Sequence, residues 1–304
     1  MRKGALRRVS TFTDRWAAQG MLFMLPALFL VTAFIILPVA LNVLLAFTNY
    51  KGFGMPYRFI GLANFRSIFT DSSFYLVLGN TFKLLLIYVV VLNVVAVFLA
   101  VKIVDTGALF GNFMKALLYF PCLLAPIIVG FVWRMILNYQ RGVINVSLRG
   151  LGLDVLALNW LGEPGLVIPI ISLVIVWFAT GYYTIIYYAG LMAISPEYYE
   201  VATIEGASGP QKFRFVTLPL LAPAITINVV LSTMGVLGAF DLPTSLSSGG
   251  GPGYYGTTIA LLVIRYVYDT YQEGKALSVA VVMALIAIIF AYIELRLLVR
   301  REVH

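Results

Sequence analysis

Few side chains in this 304-residue sequence could carry covalent chemistry. There is one cysteine, Cys122, inside an apolar run, and one histidine, His304, at the last position. A Cys/His nucleophilic pair or a metal site needs such side chains together, and a disulfide needs a second cysteine. Cys122 therefore reads as a small buried hydrophobe. Gly251-x-Gly253-x-x-Gly256 matches the dinucleotide fingerprint by letters. It falls in a breaker-rich turn, "SLSSGGGPGYYG", rather than between a strand and a helix, where phosphate binding requires it. Asn145-Val146-Ser147 fits the glycosylation acceptor, which has meaning only in a eukaryotic secretory setting. The sequence contains no G-x-x-x-x-G-K-[ST], G-x-S-x-G or H-E-x-x-H, and its carboxylates form no pair in a plausible site. The expectation is a non-catalytic chain with no metal and no bound cofactor.

What remains is neutral polarity inside apolar segments. In "VWFATGYYTIIYYAGLMAI", Trp177, Thr180, Tyr183 and Thr184 recur at i, i+3, i+6 and i+7, a spacing expected to share one helix face. A later segment carries Asn228, Ser232 and Thr233, with Asp241 at its end, and an earlier one carries Asn93. Such residues either fasten helices together or line a path for a polar, uncharged ligand such as a sugar. In the second case aromatic faces meet C–H surfaces while hydroxyls and amides meet hydroxyls. Residue chemistry leaves both open. Full charges are scarce: Lys83 lies near the outer end of one segment and Glu294 near the inner end of another. An ion-coupled transporter usually keeps a carboxylate near the membrane midplane. That counts against the competing reading, a secondary transporter or channel acting alone.

The elements that position these residues are membrane helices. The chain is 61% apolar and 11% charged, with mean hydropathy +0.96, whereas a soluble domain carries about 25% charged residues. The fold class is all-α and polytopic, one membrane domain over 1–304. Six segments are long enough to span: Met21–Phe47, Thr81–Val104, Phe113–Leu137, Leu166–Ile194, Leu220–Phe240 and Ala276–Val299. The first is too long for a signal-peptide core and lacks a cleavage site. The net charge of +8 is not a nucleic-acid signal. Arg2, Lys3, Arg7, Arg8 and Arg15 crowd the basic stretch 1–20, where orientation is set against anionic lipid headgroups. Arg296, Arg300 and Arg301 mark the other terminus. Both termini are expected on the cytoplasmic side, with loops 105–112 and 195–219. Loops 48–80, 138–165 and 241–275 then face outward. The last is expected to be structured, since "TTIALLVIRYVY" (257–268) is apolar but too short to span.

The loop at 195–219 is the most polar stretch between spans. Ser195-Pro196 fits a helix start, Glu197 and Glu200 suit its first turns, and Gly206 interrupts it. A second short helix is expected through Gln211–Phe215, with Pro219 and Pro223 marking entry to the next span. This helix-glycine-helix element resembles the EAA loop in permease subunits of binding-protein-dependent ABC importers. The match is carried by Glu200-Val201-Ala202-x3-Gly206-x9-Val216-x-Leu218-Pro219, with Val201 where the family usually has alanine. "FIGLANFRSIF" (59–69), "GVINVSLRGLG" (142–152), "WLGEPG" (160–165) and Gly250-Gly251-Pro252 with Gly256-Thr257-Thr258 are similar to outer loops of the carbohydrate branch, and to the maltose-type first permease in particular.

The resemblance implies the type I ABC importer permease fold in a bacterial cytoplasmic membrane. It implies four kinds of partner: lipid, a second homologous permease, two cytosolic ATPase subunits that use ATP and Mg, and an extracytoplasmic solute-binding protein. Nucleic acid is not among them. Glu200, Val201, Ala202, Glu205, Gly206, Leu218 and Pro219 would dock on the ATPase. A substrate path would involve Trp177, Ala179, Thr180, Tyr183, Thr233, Leu237 and Asp241, where Ala179 and Leu237 depart from the family's residue types.

Overall fold

The computed structural model describes residues 23–299, so the basic stretch 1–20, Arg300, Arg301 and His304 lie outside the described residues. Among the described residues the only strand-like pairing is one isolated bridge, Thr48 with Phe59. Four helices are long and apolar enough to cross a bilayer unbroken. They are α1 (Phe23–Ala46), α3 (Ser72–Val104), α7 (Val167–Met192) and α13 (Glu273–Leu298). Two further crossings are bent pairs. Among the short helices, α2 (Ala63–Phe69) precedes α3.

α3 starts at Ser72, well before the expected Thr81, because Asp71 caps it, accepting from the Ser73 amide at 2.9 Å. At 33 residues and 1.5 Å per residue it is about 50 Å long, more than the ~30 Å hydrocarbon core. It is thus longer than one crossing needs, and its first turns hold the loop that carries Tyr254 and Thr257. There the amide of Asn80 donates to the Tyr254 and Thr257 carbonyls at 2.9 and 3.1 Å. Asn64 of α2 likewise donates to the Ala46 and Thr48 carbonyls, both at 2.9 Å.

The expected span Phe113–Leu137 is not one helix. It divides into α4 (Ala108–Tyr119), a 3₁₀ turn (Phe120–Leu123) and α5 (Pro126–Ile136), bent by 95°. Pro126 forces Ala125 out of the helical region, and both Leu124 and Ala125 are extended, with ψ of 149° and 129°. α6 (Val143–Gly150) follows in the loop beyond. Inside it Asn145 is fully buried and tied on three sides: its amide donates to the Tyr139 and Leu158 carbonyls and its oxygen accepts from Trp160 Nε1. That is a structural fastener and is closed to glycosylation.

The fifth crossing bends too. A segment Gly209–Leu220, here α9, meets α10 (Ala222–Leu237) at 68°. Pro219 and Pro223 flank the bend and remove two helix donors. After α10 comes α11 (Asp241–Ser247), and beyond the glycine turn α12 (Ile259–Tyr268), capped by Thr258. In that turn Gly249, Gly250, Gly251 and Gly253 all have positive φ, a conformation glycine takes freely, and no strand precedes them.

The core is built on α7 against α3. Leu84, Tyr88, Leu92, Ala96 and Ala100 of α3 are buried with Ile168, Ile171, Val174, Ile175, Tyr187 and Leu191 of α7. Gly181 lets the bent third crossing lie on α7, since a Cβ there would sit 2.6 Å from Tyr119 Cα, with the Leu118 backbone closer still. Gly181→Ala is expected to lower stability by about 2 kcal/mol through backbone overlap. Gly79→Ala, with nothing near its Cβ, should leave stability unchanged or raise it by about 0.5 kcal/mol. Thermal melting of the detergent-purified chain checks both, and equal melting temperatures would refute the packing account.

Candidate functional site

Two regions stand out: a cavity between the crossings and the polar loop. The cavity, ≈ 380 Å³, lies where α3, α7, α10 and the bent third crossing meet. Tyr88, Tyr119, Cys122, Phe178, Ala179, Tyr182, Tyr183, Gly235, Gly238, Phe240 and Asp241 line it. Its volume falls in the range that holds small ligands. A Cβ at Gly235 would meet the Tyr183 hydroxyl at 3.6 Å, an ordinary contact distance. The Cys122 thiol donates to the Phe178 carbonyl at 2.8 Å. Nothing sets up Cys122 as a nucleophile, and among the described residues no cluster of three His, Cys, Asp or Glu could hold a metal.

α5 and α11 run side by side from this cavity to a second one. Both begin at the first, with Pro126 and Asp241 in its wall. Both end at the second, ≈ 610 Å³, lined by Arg134, Asn138, Tyr139, Asn159, Ser247 and Ser248 among others. The two helices touch through Gly130, where a Cβ would lie 2.9 Å from the Leu242 carbonyl. Arg134 donates to Ser248 Oγ at 2.8 Å.

The residues expected to form one path are divided. Ala179, Tyr183 and Asp241 line the central cavity. Trp177 and Thr180 do not. They face an apolar groove with Leu117 and Leu118, and Trp177 packs edge-on against Trp133 with centroids 5.4 Å apart. The expectation of one shared face for Trp177, Thr180, Tyr183 and Thr184 needs correction. At 100° per residue a step of six turns the direction by about 120°, so Trp177 and Tyr183 cannot look the same way. Ala179, Tyr182 and Tyr183, at i, i+3 and i+4, do share a face, and that spacing was readable. Thr180 and Thr184 donate back to their own helix, at 2.6 and 2.7 Å. Thr233 donates to Glu294 Oε1 at 2.7 Å and Leu237 is buried in the core, so neither reaches the cavity. Tyr88, Tyr119, Cys122 and Phe240 were missed, because they arrive from other elements and only the bends bring them together.

Below the cavity lies a neutral network. Tyr187 donates to Asn93 Oδ1 at 2.6 Å, Asn93 Nδ2 donates to Ser232 Oγ at 3.2 Å, and Asn228 Nδ2 donates to the Tyr183 carbonyl at 3.3 Å. It ties α3, α7 and α10 together.

The polar loop forms α8 (Pro196–Ile204), Gly206 and then α9. Gly206 has φ +78°. Its amide donates to Thr203 and that of Ala207 to Ala202, at 3.0 and 2.9 Å, the helix-ending motif that a left-handed glycine permits. Ser195 occupies the cap position of α8 but makes no side-chain cap bond. Ser208 starts α9, its amide and hydroxyl both donating to Gln211 Oε1. Lys212 Nζ donates to Thr203 Oγ1 at 2.8 Å, and Tyr199 pairs with Thr217 at 3.1 Å. The two helices are thus held as one body. Glu197, Glu200 and Glu205 are exposed beside exposed Tyr198, Val201 and Ile204, the last at 84%. Ala202 is half-buried, as are Leu218 and Pro219 at the entry to the bend.

Bent membrane crossings around a cavity, joined by a rigid polar knob, define a transport-type membrane component. The chain belongs to the family of binding-protein-dependent transport system inner membrane components, whose model matches residues 92–303. It is 31% identical over 281 residues to the trehalose/maltose transport system permease protein of Thermococcus litoralis, covering 92% of this chain and 94% of that one. It is 30% identical over 278 residues to a probable ABC transporter permease protein of Pyrococcus horikoshii, covering 90% and 93%. The diacetylchitobiose uptake system permease protein of Streptomyces coelicolor is 29% identical, covering 85% and 76%. Among solved structures, a bacterial ABC transporter that imports the acidic polysaccharide alginate superposes with TM-score 0.80 at 23% identity, covering 97% of this chain and 99% of that one. That likeness establishes the fold.

The neutral network yields a double-mutant cycle. Tyr187→Phe and Asn93→Ala should each destabilise the purified chain, with a coupling energy of about 1 kcal/mol. Strict additivity would refute a direct bond between the two side chains.

Proposed function

We propose that this chain is a permease subunit of an ATP-driven saccharide importer. It forms half of the translocation path with a second homologous permease in a bacterial cytoplasmic membrane, both termini inside. An extracytoplasmic solute-binding protein delivers the ligand. Two cytosolic ATPase subunits, using ATP and Mg, drive the change of access. This chain carries no phosphate-binding loop, so it depends on them for energy.

The observation that carries this reading is the knob at 195–219. Val201 and Ile204 are 59% and 84% exposed on a loop flanked by exposed carboxylates. Apolar side chains outside the lipid, on a braced element, suit burial against a partner. Glu200 and Glu205 supply polar contacts at its rim, Ala202 permits close approach, and Gly206 sets the angle between the helices. Leu218 and Pro219 lead directly into the bend and then α10, so a push on the knob acts on a cavity wall. The saccharide assignment draws on the relatives' named cargoes and on the tyrosine-rich cavity, with Ala179, Tyr183 and Asp241 as wall residues. Trp177, Thr180, Thr233 and Leu237 support helix packing around it.

The test is mutation of the knob in the complete transporter. Gly206→Val places a β-branched residue at φ +78° with open space around it, a strain of about 1–2 kcal/mol or more. Glu200→Lys reverses a rim charge. Either change is expected to cut ligand-stimulated ATP hydrolysis and uptake at least tenfold while the chain still inserts in the membrane. Unchanged uptake and unchanged ATPase co-purification in both variants would overturn the docking role, and uptake by this chain alone under an ion gradient would favour a secondary transporter.

A further inference from the structure

The central cavity is aromatic, and it is also charged in one sense only. Of the residues in its wall, Asp241 alone carries a full charge. No lysine or arginine lines it. The Asp241 side chain is exposed and has neither an ion-pair nor a side-chain hydrogen-bond partner among the described residues, where the one salt bridge is Arg265–Asp269 at 3.5 Å. Tyr88, Tyr119, Tyr182 and Tyr183 surround the same space, and aromatic faces are negative at their centres.

The positive features around the cavity are weaker or engaged elsewhere. Lys115, one turn before Tyr119 on α4, has its ammonium over the Tyr188 ring at 4.2 Å and does not line the cavity. The α5 dipole points its N-terminus at the cavity, but such a terminus amounts to about half a charge. The amides of Ile128 and Val129 are already turned onto the Ala125 carbonyl. Arg134 lies at the far end of α5, eight residues from Pro126 and hence about 12 Å along the axis, beyond the ~8 Å screening length at physiological salt. Its guanidinium is held by Ser248 and lies over the Phe131 ring at 5.1 Å.

We propose that Asp241 sets the charge selectivity of the translocation path, so that the central cavity admits neutral and cationic saccharides and disfavours those bearing carboxylate, sulfonate or phosphate groups. This inference rests on the reading of that cavity as the solute path. A helix-start aspartate also stabilises α11 through its dipole. That role needs only a carboxylate near the first turn. Selectivity needs the residue in the cavity wall, which is where Asp241 stands.

Cys122 supplies an internal probe, since the chain's one cysteine lines the same wall. The chain is expressed with its own partner subunits and kept in membrane vesicles. It is then treated with neutral methyl methanethiosulfonate, the cationic trimethylammonioethyl reagent and the anionic sulfonatoethyl reagent. Labelling is read from the intact mass of this chain, and rates are normalised to the same reagents on a free thiol. The cationic reagent is expected to outpace the anionic one by about tenfold or more at low salt. Asp241→Asn should bring the ratio to within twofold of the free thiol, and Asp241→Glu should preserve it, which separates charge from folding defects. A normalised ratio near one in the native chain, or one unchanged in Asp241→Asn, overturns the charge assignment while leaving the solute path standing. Failure of even the neutral reagent to reach Cys122 overturns the solute-path reading and this inference with it.

Discussion

The structure turns on the fact that hydrocarbon offers the backbone no hydrogen-bond partners. An unbroken helix meets that condition by itself. Any break must be answered by side chains. Between its spanning helices this chain closes free carbonyls of turns and helix ends mostly with asparagine. Asn64 takes the Ala46 and Thr48 carbonyls where α1 ends, Asn80 takes those of Tyr254 and Thr257 at the glycine turn, and Asn145 takes those of Tyr139 and Leu158. One amide NH₂ closes two carbonyls each time, which no hydroxyl can do. Ser278 adds a second donor to the Ala46 carbonyl at 2.9 Å.

The two bends lie elsewhere, at Leu124–Ala125 and at Leu221, and they shape the cavity. The bend in the third crossing begins just after Tyr119, where α4 packs on Gly181 of α7. With Pro121 and Pro126 in place, the crossing turns by 95° and its second half becomes a short helix beside α11. Gly181 and Gly130 then allow the backbones to close up at either end. The cavity is therefore a product of proline placement and two close glycine contacts.

Much of this was legible in the residues. Long apolar runs located the crossings, and the Gly206 interruption located the knob, because each is a local property of the chain. The broken crossings were harder. Hydropathy averages over "FPCLLAP" (120–126) without registering that its prolines forbid a continuous helix. The cavity wall was legible only in part. Ala179 and Tyr183 lie on one helix and Asp241 at the start of another, while Tyr88, Tyr119 and Phe240 come from other elements, whose packing against α7 no periodicity records. Thr233 was misjudged in a different way. A hydroxyl in a span reads the same whether it faces a ligand or, as here, the Glu294 carboxylate on α13.

The polar bonds between crossings also differ in length. α3 and α7 are joined by a 2.6 Å bond from Tyr187 to Asn93 and by an extended apolar core. α10 is joined to α7 by a 3.3 Å bond from Asn228 to a carbonyl, and to α3 by a 3.2 Å bond to Ser232. Interhelical hydrogen bonds in membranes average only about 0.6 kcal/mol, so long ones hold little. α10 is also the helix that continues from α9 through the Leu221 bend. The braced knob, through Lys212 and Thr203, moves as one piece with the start of α9. α10 carries Gly235 and is followed by Gly238, and both form part of the cavity wall. The polar bonds are short between α3 and α7 and longer from α10 to both, while one apolar core that includes Ala224, Val236 and Leu237 of α10 holds the three together.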